Sequence, residues 1–95
     1  MTGTLAMTKL KNQLVAIDPD LTVELRNVRV NGQLRGCSGF VTNPVTGDIA
    51  YVNTETSTGS ALYRTAESTR DFRGGRNQFA SHLELPRAVV NLLTT

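Results

Sequence analysis

Ninety-five residues make one domain, large enough for a single hydrophobic core but too small for that core plus a deep, enclosed active-site cavity. An apolar fraction of 39% places the chain in the ordinary globular range and excludes wholesale disorder. Ten Lys and Arg against eight Asp and Glu leave a net charge of only +2, and the single cysteine, Cys37, excludes an internal disulfide.

The first predicted element is a helix over about 4–18. Met7, Leu10, Leu14 and Ile17 recur at three- and four-residue steps and share one face, while Lys9, Lys11, Asn12 and Gln13 fall mainly on the other. Asp18-Pro19-Asp20 ends it, because proline disfavours a helical conformation at the residue before it. A strand is expected over 21–30. Leu21, Val23 and Leu25 lie on one face, and Val28 and Val30 then change parity, which implies a bulge near Asn27 or partial cover of both faces. Asn31-Gly32 is a strong hairpin signal, since a type I′ turn needs positive φ at both central residues. The return strand, about 34–42, carries Gly36 and Gly39, which suggest a bulge or a close backbone approach.

Asn43 to Asp48 reads as a second turn, followed by a strand over 49–54 that is apolar on both sides and is the expected central strand. A polar loop precedes a fourth strand over 61–66. Residues 67–80 lack periodicity and form a basic loop, and the C-terminal helix is expected over about 82–93. Ser81 and Glu84 fit a capping box, while Pro86 places the start of regular helix nearer Leu85; Leu85, Val89, Leu92 and Leu93 form the apolar stripe. The expected fold is α+β: an antiparallel sheet of about four strands, packed on one face by both terminal helices, in a single domain over residues 1–95.

The basic loop holds the one departure from neutrality. Arg70, Arg73 and Arg76 against Asp71 give seven residues a local charge of +2, and the other 88 residues carry seven basic and seven acidic side chains. Catalytic, metal and cofactor readings all fail on inventory. One Cys and one His cannot supply the ligands of a zinc site, and no motif sets Cys37 or a serine on a strained turn beside a base. Gly32, Gly36 and Gly39 fall on predicted strands and do not match a phosphate-binding loop. Cys37 reads as a small buried thiol and His82 as a structural or capping residue.

The segment Leu10-Lys11-Asn12-Gln13-Leu14-Val15-Ala16-Ile17-Asp18-Pro19-Asp20-Leu21-Thr22-Val23 resembles the opening of small accessory proteins of actinobacterial phages, and eight Arg to two Lys agree with such an origin. The resemblance implies a non-enzymatic protein made in the bacterial host cytoplasm, some of whose relatives act by binding a host protein. It assigns no functional residue.

The expected function is therefore a small non-enzymatic interaction protein that binds a protein partner, with Arg70, Arg73 and Arg76 supplying charge-assisted contacts and Phe72 an apolar anchor. An open sheet edge makes homo-oligomers a second expectation. The alternative is nucleic-acid binding through the same loop, with Arg26, Arg29 and Arg35 extending a basic patch. A cytoplasmic location follows from the absence of disulfides, of a signal-peptide pattern and of any apolar run near the roughly 18 residues needed to cross a membrane.

Overall fold

A computed structural model describes residues 6–55, 60–72 and 76–94. The element order is α1 (Ala6–Ile17), β1 (Thr22–Val30), β2 (Gln33–Thr42), β3 (Ile49–Glu55), β4 (Ser60–Ala66), β5 (Gln78–Ser81) and α2 (Leu85–Thr94). The five strands form one antiparallel meander in sequence order, with β3 at its centre. The class is α+β, as the sequence implies, with one strand more than its periodicity reveals. β5 lies inside the segment read as an aperiodic loop, because four residues, Gln78-Phe79-Ala80-Ser81, are too few to display a two-residue period. Residues 1–5, the predicted first turn of α1 among them, and residues 56–59 of the polar loop lie outside the described residues.

Both helices dock on the same face of the sheet. Strand pairing places Leu25, Gly39, Val52, Tyr63 and Gln78 in one helix-facing row. Val23, Val41 and Ala50 form a second, and Thr54, Ala61 and Ala80 belong to a third. Leu10 and Leu14 of α1 and Leu85, Val89, Val90 and Leu93 of α2 close over these rows to make the core. Ile17, placed on the apolar face by its spacing, is more than one-third exposed at 37%, because α1 ends there and Asp18 turns the chain away. That turn is held by Asp18 Oδ1, which accepts from Asp20 N–H, and by its carbonyl, which accepts from Leu21 N–H.

The β1–β2 hairpin carries the predicted turn, with Asn31 at φ 54° and Gly32 at φ 79°. The irregularity expected near Asn27 is a register shift between Val28 and Arg29. Gly36 and Gly39 meet the close-approach expectation. A Cβ on Gly39 would sit 2.0 Å from the Glu24 carbonyl oxygen, and one on Gly36 only 1.8 Å from that of Thr54. Glycine thus lets β2 lie against both neighbours with φ near +156° where a side chain would push them away.

The ends of the helices are tied to the sheet by single polar contacts. Buried Asn43, in the β2–β3 turn, donates through Nδ2 to the Leu93 carbonyl at 3.1 Å and so satisfies one of the free carbonyls at the end of α2. At the other end, Ser81 Oγ accepts from Glu84 N–H, the forward half of the expected capping box. Residues 82–84 form a turn rather than the expected first helical residues, and α2 begins at Leu85 with Pro86 in its first turn, where a missing N–H is harmless.

Replacing Gly39 by Ala should cost about 3 kcal/mol or more in a urea unfolding experiment, since the new methyl collides with the Glu24–Leu25 main chain of β1 at a strained φ. Gly32→Ala, with open space around it, should cost only about 1 kcal/mol, the conformational penalty alone.

Candidate interaction surface

The sheet face turned away from the helices has no helix over it, and its pleat decides which side chains appear there. Glu24, Phe40, Tyr51 and Arg64 stand directly opposite one another in one row, and Arg26, Ser38, Asn53, Leu62 and Phe79 in the next. The chain between β4 and β5 folds back over the first of these rows. Phe72 brings its ring within 5.3 Å of the Phe40 ring and 6.0 Å of the Tyr51 ring, both edge-on, and Phe40 and Tyr51 lie 5.4 Å apart. Phe40 is buried by this arrangement, whereas Phe72 remains 57% exposed.

Arg64 pins the loop. Only 3% of it is exposed, with its guanidinium 4.6 Å above the centre of the Tyr51 ring. Nη2 donates to the Asp71 carbonyl oxygen at 2.7 Å and Nη1 to the Thr65 carbonyl at 3.1 Å. Its ion pair with the Asp71 carboxylate, Nη1 to Oδ2, is longer at 3.8 Å, so the main-chain bond is the firmer grip. The Asp71 carboxylate in turn accepts from Glu67 N–H at 3.0 Å, and the Ser68 carbonyl accepts from Asp71 N–H at 3.2 Å. The segment 67–72 is thereby a folded flap over the sheet rather than a free tether.

Of the predicted contact residues, Arg70 and Arg76 are exposed, Phe72 is half packed on its own sheet, and Arg73 lies outside the described residues. The loop joins β4 to β5, not the last strand to the last helix. A groove of about 280 Å³ opens beside the flap, lined by Glu24, Arg26, Phe40, Thr69 and Phe72 among others. It brings Arg26 of the first hairpin to the flap. Arg35 lines a separate hollow with Val28, Asn53 and Glu55, and Arg29 bonds the hairpin's own Gly32 carbonyl at 3.4 Å. The three hairpin arginines are therefore dispersed, and only Arg26 joins the flap in a common groove. Spacing alone could not find Arg64 or Tyr51 as parts of this surface, since their meeting depends on the β3–β4 register.

Cys37 and His82 have structural surroundings. Cys37 is fully buried; its N–H donates to the Thr54 hydroxyl at 3.0 Å, and its Sγ lies 3.4 Å from the same oxygen. Burial pushes the thiol above its ordinary range, and the Thr54 contact offsets part of that rise. The His82 ring bonds the Ser60 carbonyl through Nε2 at 3.1 Å, tying the start of β4 to the turn before α2. No group of three or more His, Cys, Asp or Glu arranged to hold a metal ion occurs among the described residues, and no described helix is long and apolar enough to cross a membrane.

Arg64→Ala should lower unfolding free energy by about 2–3 kcal/mol, because a ring contact and two charge-assisted bonds vanish from a buried site. Asp71→Asn should cost less than about 1 kcal/mol, since the carbonyl acceptor stays and the amide oxygen can still serve Glu67. Above about pH 8.5 the unfolded chain loses a thiol proton that the folded chain retains, so stability should fall with rising pH in the wild type. The same titration of Cys37→Ala should show a shallower decline.

Comparison of the chain with protein-family models, with curated proteins and with solved structures finds no match.

Proposed function

We propose that this chain is a small non-enzymatic interaction domain that binds a protein partner on the helix-free face of its sheet. The observation that carries this reading is the exposed Phe72 ring held by a pinned flap beside a groove containing Arg26. A large apolar side chain fixed in place loses little freedom on binding, and arginines at its rim favour an acidic segment on the partner. Arg70 and Arg76 add exposed guanidinium groups from the same connection. The N-terminal resemblance to actinobacterial phage accessory proteins is in keeping with a bacterial protein as the partner.

A second reading draws on the same face. Phe72 and Phe79 are both exposed there and Arg26 stands nearby, the materials of a base-stacking platform. The charge pattern weighs against it: Glu24 shares the groove with Arg26, and Glu55 shares the second hollow with Arg35, so a phosphate backbone would meet carboxylates at both ends.

The test is affinity capture from the native cells, followed by titration of the captured protein against wild type and the Arg26→Glu, Arg70→Glu double variant. Both arginines are exposed, so the variant should keep its stability within about 0.5 kcal/mol while losing at least about tenfold in affinity. Equal binding by the variant overturns the assignment. Binding of a single-stranded oligonucleotide at about 50 mM salt, falling steeply as salt rises, transfers the surface to the second reading.

A further inference from the structure

The β1–β2 hairpin is out of step by one residue, and the extra residue is an arginine. Pairing passes from Val28 with Gly36 directly to Arg29 with Leu34, so Arg35 has no counterpart on β1. A bulge of this kind re-aims a side chain, and such irregularities are common beside binding sites. Strict alternation with buried Cys37 would turn Arg35 toward the core. Instead it is exposed and lines a hollow together with Asn53 and Glu55. Those two lie on the helix-free face, since they alternate along β3 with Tyr51. Gly36 adds no side chain here, because a Cβ on it would meet the Thr54 carbonyl. The space left open is about 380 Å³, larger than the groove at the flap.

The walls of this hollow differ in kind. Val28 and Val30 make an apolar side, and Val30 is 46% exposed. Arg35 supplies a guanidinium and Glu55 a carboxylate, so both signs are present with no net charge. Asn53 donates through Nδ2 to the Tyr51 hydroxyl at 3.2 Å, and its Oδ1 accepts no bond among the described residues.

We propose that this hollow binds a small zwitterion with an aliphatic side chain, a free α-amino acid such as leucine. The ligand carboxylate pairs with Arg35, its ammonium with Glu55 and Asn53 Oδ1, and its side chain covers Val28 and Val30. A simple anion would meet the Glu55 carboxylate, and a simple cation the Arg35 guanidinium. A ligand carrying both charges satisfies both walls, and one carrying a single charge does not. The volume sits at the lower end of the roughly 300–1,000 Å³ of small-ligand sites, which suits a molecule of this size. Arg35 is exposed, so water screens its ion pair and keeps the affinity weak. The site stands apart from the flap reading, which uses none of these side chains.

L-leucine titrated into the nitrogen-labelled full chain, followed by amide chemical shifts, should bind with a Kd of roughly 1 mM. The largest shifts should fall at Val28, Val30, Arg35, Asn53 and Glu55. Leucine amide lacks the carboxylate and N-acetyl-leucine lacks the ammonium, and each should bind at least about tenfold more weakly. Arg35→Gln should abolish the preference for leucine over leucine amide, and Glu55→Gln the preference over N-acetyl-leucine. The Arg26→Glu, Arg70→Glu double variant should bind leucine as the wild type does, so loss of the partner surface and loss of this site are read separately. No saturable shift up to about 50 mM leucine overturns the proposal. So does equal binding of the three compounds by the wild type, a comparison that requires no variant. Retention of the wild-type preference by either glutamine variant overturns it as well.

Discussion

Among the described residues, two helices of twelve and ten residues cover a five-stranded sheet, and both dock on the same side. The consequence is an asymmetric molecule. One face is dry, built from Leu10, Leu14, Val41, Val52, Leu85, Val89 and Leu93, and every strand from β1 to β5 turns alternate side chains toward it. The other face must be finished with side chains and one loop. A sheet this short cannot leave both faces wet and still bury enough apolar surface to fold.

What finishes the second face is a small aromatic cluster organised by a cation. Phe40 and Tyr51 are neighbours across β2 and β3, Arg64 is the next position across β4, and Phe72 arrives from the connection that Arg64 holds. A guanidinium suits this position because its planar donors reach two main-chain carbonyls while its face rests on the Tyr51 ring. An ammonium in its place would satisfy fewer acceptors and stack less well. The flap is consequently part of the fold, yet it leaves the Phe72 ring and the Arg70 side chain facing solvent.

This division also sets the flap apart from the far edge of the sheet. The groove at the flap involves β1, β2 and the β4–β5 connection, whereas the uncharged strand β5 stands at the other edge. Charges guard β1, and an exposed aromatic ring occupies β5. The glycines of β2 contribute indirectly: by letting Glu24 and Thr54 main chain come close, they set the register that aligns Phe40 with Tyr51.

The elements and the buried positions were largely legible in the order of residues. The three- and four-residue spacing of Leu10 and Leu14, the Asn31-Gly32 turn, the proline that ends α1 and the glycines of β2 are local signals with local physical causes, and the structure places each as they imply. The charge concentration at 70–76 was legible too, but its surroundings were not. That Arg64 is buried, that Phe72 leans on its own sheet, and that Arg26 alone of the hairpin arginines reaches the flap all depend on strand register and on the path of a loop. The fifth strand was equally hidden, because four residues have no period to read and gain strand geometry only by pairing with β4. Local propensity and hydrophobic pattern thus determined the two helices, the first four strands and which side is buried. Tertiary pairing alone decided which charges and rings meet on the open face, because those contacts join residues far apart in sequence through hydrogen-bond registers that no single segment encodes.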